Sequence, residues 1–284
     1  MDRVVFAARD GHPLAVYRYD ATGPVRGHVI IAAAMAVPQS FYATFARHLA
    51  TCGYTAWTFD YRGIGASLTG SLRAVKADLS DWLTKDFDAL LHHVSEISPQ
   101  RPVFVVGHSF GGQVAPLLPS RERLAGLVNI AVGSGSTRHI SPRLRRSAPL
   151  MWHVLAPLLC PLFGYFPGAR LGVIGNLPTG AMFQWRRWCL TPDYLLTGEP
   201  GARDAYASAD YPVLALTFAD DEMLQEAGSR LLHGAYRHGR VDYRLVEPAQ
   251  HGLARIGHFG FFKPQSEAAL WPLITAWLDR ATAA

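Results

Sequence analysis

Gly107-His108-Ser109-Phe110-Gly111 sets a serine between two glycines, directly after the apolar run Val103-Phe104-Val105-Val106. A serine carried on a sharp strand-to-helix turn can attack a carbonyl carbon, provided that a neighbouring base takes its proton. Gly107, Gly111 and the following Gly112 leave room where side chains would collide with the turn. The helix after the serine aims its unpaired N–H groups at developing negative charge. Pro116 removes a backbone donor and predicts a kink early in that helix, and Pro119 predicts its end.

A serine nucleophile needs a histidine base, and the histidine needs an acid to hold its tautomer and stabilise its cation. On a strand–turn–helix scaffold of this kind the chain order is serine, acid, histidine. The apolar run 213–218 leads into Ala219-Asp220-Asp221-Glu222, so Asp221 is the candidate acid and Asp220 the alternative. Aspartate there also suits the N-cap of a helix predicted over about 222–232. Two histidines follow. His251 is attractive by spacing alone, five residues past Val246. His258 stands in Ile256-Gly257-His258-Phe259-Gly260-Phe261-Phe262, just before the last helix.

Such groups must be held by a scaffold. Short apolar runs at 29–33, 55–59, 103–106, 127–132, 213–218 and 243–246 alternate with helical patterns. One helical pattern is Phe41, Phe45 and Leu49, closed by Gly53; another is Trp82, Phe87, Leu90, Leu91 and Val94. This alternation predicts an α/β fold with a mostly parallel sheet covered on both faces. Residues 4–7 and 14–19 flank Asp10-Gly11-His12-Pro13 and read as a hairpin. Residues from about 267 to 280 read as a closing helix, with Leu270, Ile274 and Trp277 on one face. Residues 134–208 break the rhythm: they are rich in proline and tryptophan, show no clear strand and are too long for a loop. They are expected to form a helical cap, leaving 1–133 and 209–284 as the core domain.

Together these residues resemble the α/β-hydrolase superfamily over essentially the whole chain. Phe59-Asp60-Tyr61-Arg62-Gly63-Ile64-Gly65-Ala66-Ser67 is similar to that family's Asp-x-Arg-Gly-x-Gly-x-Ser segment. The chain further resembles a bacterial branch of hydrolases near the serine aminopeptidase and monoacylglycerol lipase-like group. Its features are an early Asp-Gly, Asp-Tyr-Arg-Gly-Ile-Gly, Gly-His-Ser-x-Gly-Gly-Gln and Gly-His-x-Gly-Phe-Phe, and all are present. The resemblance implies a sheet of about eight strands and selects His258 as the base. It also implies an oxyanion hole after the third strand, where the family's His-Gly is replaced by Ala34-Met35-Ala36. Met35 N–H is the expected donor there, with Ala34 and Ala36 as alternatives, and Phe110 N–H is the second donor. The activity implied is hydrolysis of a carboxylic ester or thioester through an acyl-enzyme, with no cofactor and no metal. Acyl transfer to another acceptor and a non-catalytic ligand-binding role are the alternatives.

Composition narrows the partners. The 284 residues are 49% hydrophobic and 17% charged, which suits a packed core and excludes wholesale disorder. Cys52, Cys160 and Cys189 form no disulfide or zinc pattern, and Met1-Asp2-Arg3-Val4-Val5-Phe6 lacks a leader pattern, so a cytoplasmic protein is expected. The apolar stretch 150–162 contains His153, Pro157 and Pro161, too short and too broken for stable membrane insertion. The net charge of +5 resides in 134–208, where eight arginines face only Asp193, Glu199 and Asp204. That location points away from nucleic acid and toward a small ester substrate that carries negative charge, approached past cap arginines. Oligomeric state is not legible.

Overall fold

A computed structural model describes residues 1–283. Ten strands form: β1 (Asp2–Ala7), β2 (Pro13–Tyr19), β3 (Gly27–Ala32), β4 (Tyr54–Phe59), β5 (Val103–His108), β6 (Leu124–Ile130), β7 (Tyr165–Phe166), β8 (Leu177–Pro178), β9 (Val213–Phe218) and β10 (Val241–Val246). Eight of them make one sheet in the order β1-β2-β4-β3-β5-β6-β9-β10. The pairs β1–β2 and β2–β4 are antiparallel, and every pair from β4 to β10 is parallel.

The central strands are buried on both faces, as their unbroken apolar sequences require. Alternate residues of β3 and β5 serve opposite layers. Ile30, Val103 and Val105 join one core, whereas Val29, Ile31, Phe104 and Val106 join the other. The second core is closed by the helix Glu267–Ala283, which buries Leu270, Trp271, Ile274, Trp277 and Leu278. Trp271 donates its indole N–H to the Phe261 carbonyl at 2.7 Å and so ties this helix to the loop carrying His258.

Two local readings are corrected, and the break expected at Pro116 is found. The helix after β9 runs Glu226–His233, not from 222, because Met223 and Leu224 spend their N–H groups on the Asp221 side chain. Within 134–208 a two-stranded antiparallel ribbon, β7 with β8, interrupts the helices. The helix Phe110–Val114 gives way at once to a 3-10 turn, Ala115–Leu117, where Pro116 cannot donate. Among the described residues no helix is long and apolar enough to cross a membrane.

Candidate active site

Ser109 sits between β5 and the helix Phe110–Val114 with φ +48° and ψ −113°. A positive φ is strained for any residue with a Cβ, and strain of this kind persists only where the surroundings impose it. They do so here. Ser109 N–H donates to the Ile130 carbonyl at 3.0 Å, and the Ser109 carbonyl accepts from Gly112 and Gln113 N–H at 3.1 and 3.0 Å. The three glycines are sterically required. A Cβ on Gly107 would lie 2.9 Å from the Gly111 carbonyl carbon, one on Gly111 2.5 Å from that of Ala32, and one on Gly112 2.5 Å from Val132 Cγ2. The turn therefore presses directly on β3, the strand that leads to Met35.

Asp221 and His258 meet at the C-terminal edge of the sheet. His258 Nδ1 lies 2.8 Å from Asp221 Oδ2, and both side chains are almost wholly buried. The other carboxylate oxygen, Oδ1, accepts Met223 and Leu224 N–H at 2.7 and 2.9 Å. Asp221 thus closes the turn that follows β9 with one carboxylate oxygen and meets the histidine with the other, and it does not cap the next helix, whose N-cap is Gln225. Asp220 faces the loop instead and accepts Ile256 and Gly257 N–H at 2.8 and 3.0 Å. Glu222 accepts His258 N–H at 3.1 Å. Three consecutive carboxylates therefore grip the 256–258 loop; the anchoring by Asp220 and Glu222 was missed, although the acidic triplet was its visible signal. His251 ends a 3-10 turn, Pro248–His251, and does not line the cavity that Ser109 and His258 share.

That cavity, about 280 Å³, is lined by Ser109, His258, Met35, Phe110, Ala34 and Ala36 on the sheet side. Ile140, Leu144, Met151, Trp152, Ile174, Trp185 and Tyr194 line it from the 134–208 side. Its wall contains no Asp, Glu, Lys or Arg, so the arginines of 134–208 stand outside it. Among the described residues no hydrogen bond holds the Ser109 hydroxyl. A nucleophile–base contact of this type commonly tightens only when substrate is bound.

Of the candidate oxyanion donors, one is already engaged. Ala34 N–H is occupied, donating to Tyr42 Oη at 2.9 Å. Met35, Ala36 and Phe110 N–H have no partner among the described residues. Ala36 takes φ +59°, a left-handed conformation that alanine rarely adopts.

A buried chain behind the site connects its two halves. His108 Nε2 lies 2.9 Å from the His258 carbonyl, which can only accept, so Nε2 carries the proton. His108 Nδ1 then accepts from Tyr42 Oη at 2.8 Å, and Tyr42 Oη accepts from Ala34 N–H. Burial holds the His108 pKa well below that of a free imidazole, consistent with the neutral tautomer. The chain joins the loop after β3 to the loop that carries His258; nothing in the sequence beyond a histidine beside the serine signalled it. Among the described residues no group of three His, Cys, Asp or Glu side chains is set to hold a metal ion.

Comparison with known proteins bears on the family and the fold. The monoglyceride lipase of Saccharomyces cerevisiae is 27% identical over 157 residues, which cover 54% of this chain and 47% of that protein. The match thus spans about half the length of the curated relative. A solved soluble variant of the same yeast enzyme, in complex with a substrate analogue, superposes with a TM-score of 0.69 at 18% identity, covering 99% of this chain and 95% of that one. The esterase domain of a Rhodothermus marinus protein superposes with a TM-score of 0.62 at 17% identity, covering 98% of each chain. These solved structures share the α/β-hydrolase fold with this chain. Residues 23–166, just over half of the chain, match the serine aminopeptidase S33 family, and the protein belongs to that family.

Proposed function

We propose that the protein is a serine hydrolase that cleaves an uncharged carboxylic ester with an apolar acyl group, through an acyl-enzyme. The observation that carries this reading is the 2.8 Å contact between His258 Nδ1 and Asp221 Oδ2 beside a cavity shared with Ser109. In this reading Asp221 fixes the Nδ1–H tautomer and leaves Nε2 to take the Ser109 proton. Ser109 Oγ attacks the ester carbonyl, and the tetrahedral oxyanion is held by Met35 and Phe110 N–H. His258 returns the proton to the leaving alcohol, and water then cleaves the acyl-enzyme by the same steps in reverse. Residues 134–208 act as the cap that supplies the apolar wall.

The wall chemistry favours esters over peptides with a free N-terminus. An aminopeptidase must compensate the substrate ammonium, and the cavity offers no carboxylate for it. It equally lacks a cation for an anionic substrate, so a neutral acyl group fits best. The test is turnover of a p-nitrophenyl ester series beside an aminoacyl p-nitroanilide, in wild type and Ser109→Ala. Ester hydrolysis lost in the variant supports the reading. Anilide as the better substrate, or ester turnover unchanged by the substitution, overturns it.

A further inference from the structure

The residues 142–163 form one nearly continuous helical rod: Pro142–Leu150, a π-helical turn Met151–Leu155, and Ala156–Phe163. One face of the rod closes the cavity through Leu144, Ala148, Met151 and Trp152. The opposite face carries Leu150, Val154, Leu158 and Leu162, spaced four residues apart and 54%, 48%, 61% and 65% exposed. This is an apolar stripe about 18 Å long at 1.5 Å per residue. Soluble surfaces rarely leave such a contiguous patch uncovered.

The charge around the stripe has one sign. Between Glu122 and Asp193 the chain carries no aspartate or glutamate over 70 residues. Arg187 and Arg203 pair with Glu199 and Asp193. Arg138, Arg143, Arg145, Arg146, Arg170 and Arg186 have no carboxylate partner among the described residues. Arg143, Arg145 and Arg146 are exposed on the first turns of the same rod. An exposed apolar stripe with arginines at one end and no acid nearby complements a surface that is apolar beneath and anionic on top.

We propose that this rod is a peripheral docking site for an anionic lipid bilayer, lying in the headgroup plane with Leu150, Val154, Leu158 and Leu162 inserted and the arginines on lipid phosphates. The cavity then opens beside the bilayer, because its wall is the other face of the docked rod. A second copy of the chain is disfavoured as occupant, since the same face would bring unpaired arginines together.

Co-sedimentation of the full chain with vesicles in low salt tests this. Vesicles of phosphatidylcholine with one quarter phosphatidylglycerol are expected to bind at least tenfold more protein than pure phosphatidylcholine, with the difference collapsing in 0.5 M NaCl. Leu158→Asp with Leu162→Asp, and separately Arg143→Ser with Arg145→Ser and Arg146→Ser, are each expected to lower binding at least tenfold. None of these residues lines the cavity, so hydrolysis of a soluble ester serves as the control for folding and stays unchanged. Equal binding to both vesicle types overturns the proposal, as does binding that survives both sets of substitutions. So does concentration-dependent dimerisation in sedimentation velocity that the leucine substitutions abolish. The vesicle readout involves no turnover, so its failure is distinct from a failure of the ester reading.

Discussion

Gly111→Ala tests how the two candidate oxyanion donors are held in register. The added Cβ would lie 2.5 Å from the Ala32 carbonyl carbon and 2.8 Å from Ala32 Cβ, against about 3.4 Å for ordinary contact. The obstacle is the backbone of a central strand, so the neighbour cannot rotate away. The helix that begins at Phe110 and the end of β3 must part by roughly 1 Å. Phe110 N–H rides on the first element and Met35 N–H follows the second, so the pair is spread by the same amount. A displacement of that size at a reacting centre costs on the order of 100-fold in rate, which is about 2.7 kcal/mol. Overpacking of a closed core adds a stability loss of about 1–3 kcal/mol. The assay is kcat on a short p-nitrophenyl ester, with the denaturation midpoint measured on the same preparation. The expected result is a fall of about 100-fold in kcat with KM little changed and a folded protein. Wild-type kcat and an unshifted midpoint would refute the steric reasoning.

Two further predictions come from charge. Asp221→Asn keeps a carbonyl oxygen for Met223 and Leu224 N–H but turns its amide to His258 Nδ1, which forces the wrong tautomer; kcat is expected to drop about 10³–10⁴-fold. Asp220→Asn only weakens the grip on Ile256 and Gly257 N–H, so a loss below about tenfold is expected, and equal losses in the two variants would reverse their roles. For stability against pH, burial holds His233 down at about 4 and pushes His108 down as well. The unfolded chain protonates these rings near 6.5 while the native state leaves them neutral, so stability is full above that pH and falls as pH drops toward 4. His233 alone contributes about 3 kcal/mol over that window. Urea midpoints that stay flat from pH 7 to 4.5 would contradict it.

The parallel core was legible because its strands are continuous apolar runs, a pattern that burial on both faces imposes on sequence. The glycines of the serine turn were legible for the same kind of reason: each is a place where no Cβ fits. Asp221 and His258 could be narrowed but not joined by spacing, since a separation of 37 residues becomes a 2.8 Å contact only through the order of β9 and β10. The start of the helix at Glu226 was misread because an aspartate that accepts two backbone N–H groups looks like an N-cap even when it closes a separate turn. The Tyr42–His108 chain and the apolar stripe on 142–163 were invisible for a different reason. One depends on residues 66 positions apart, and the other on knowing which face of an apolar helix is left bare.

The central claim is that Ser109 is an activated nucleophile, and the most direct measurement is covalent capture. The protein is treated with a fluorophosphonate at neutral pH, digested, and the adduct located by mass spectrometry. One adduct per chain is predicted, on the peptide containing Ser109, absent from Ser109→Ala and strongly slowed in His258→Ala. An unlabelled Ser109 in folded wild-type protein, or labelling that persists in Ser109→Ala, would contradict the account.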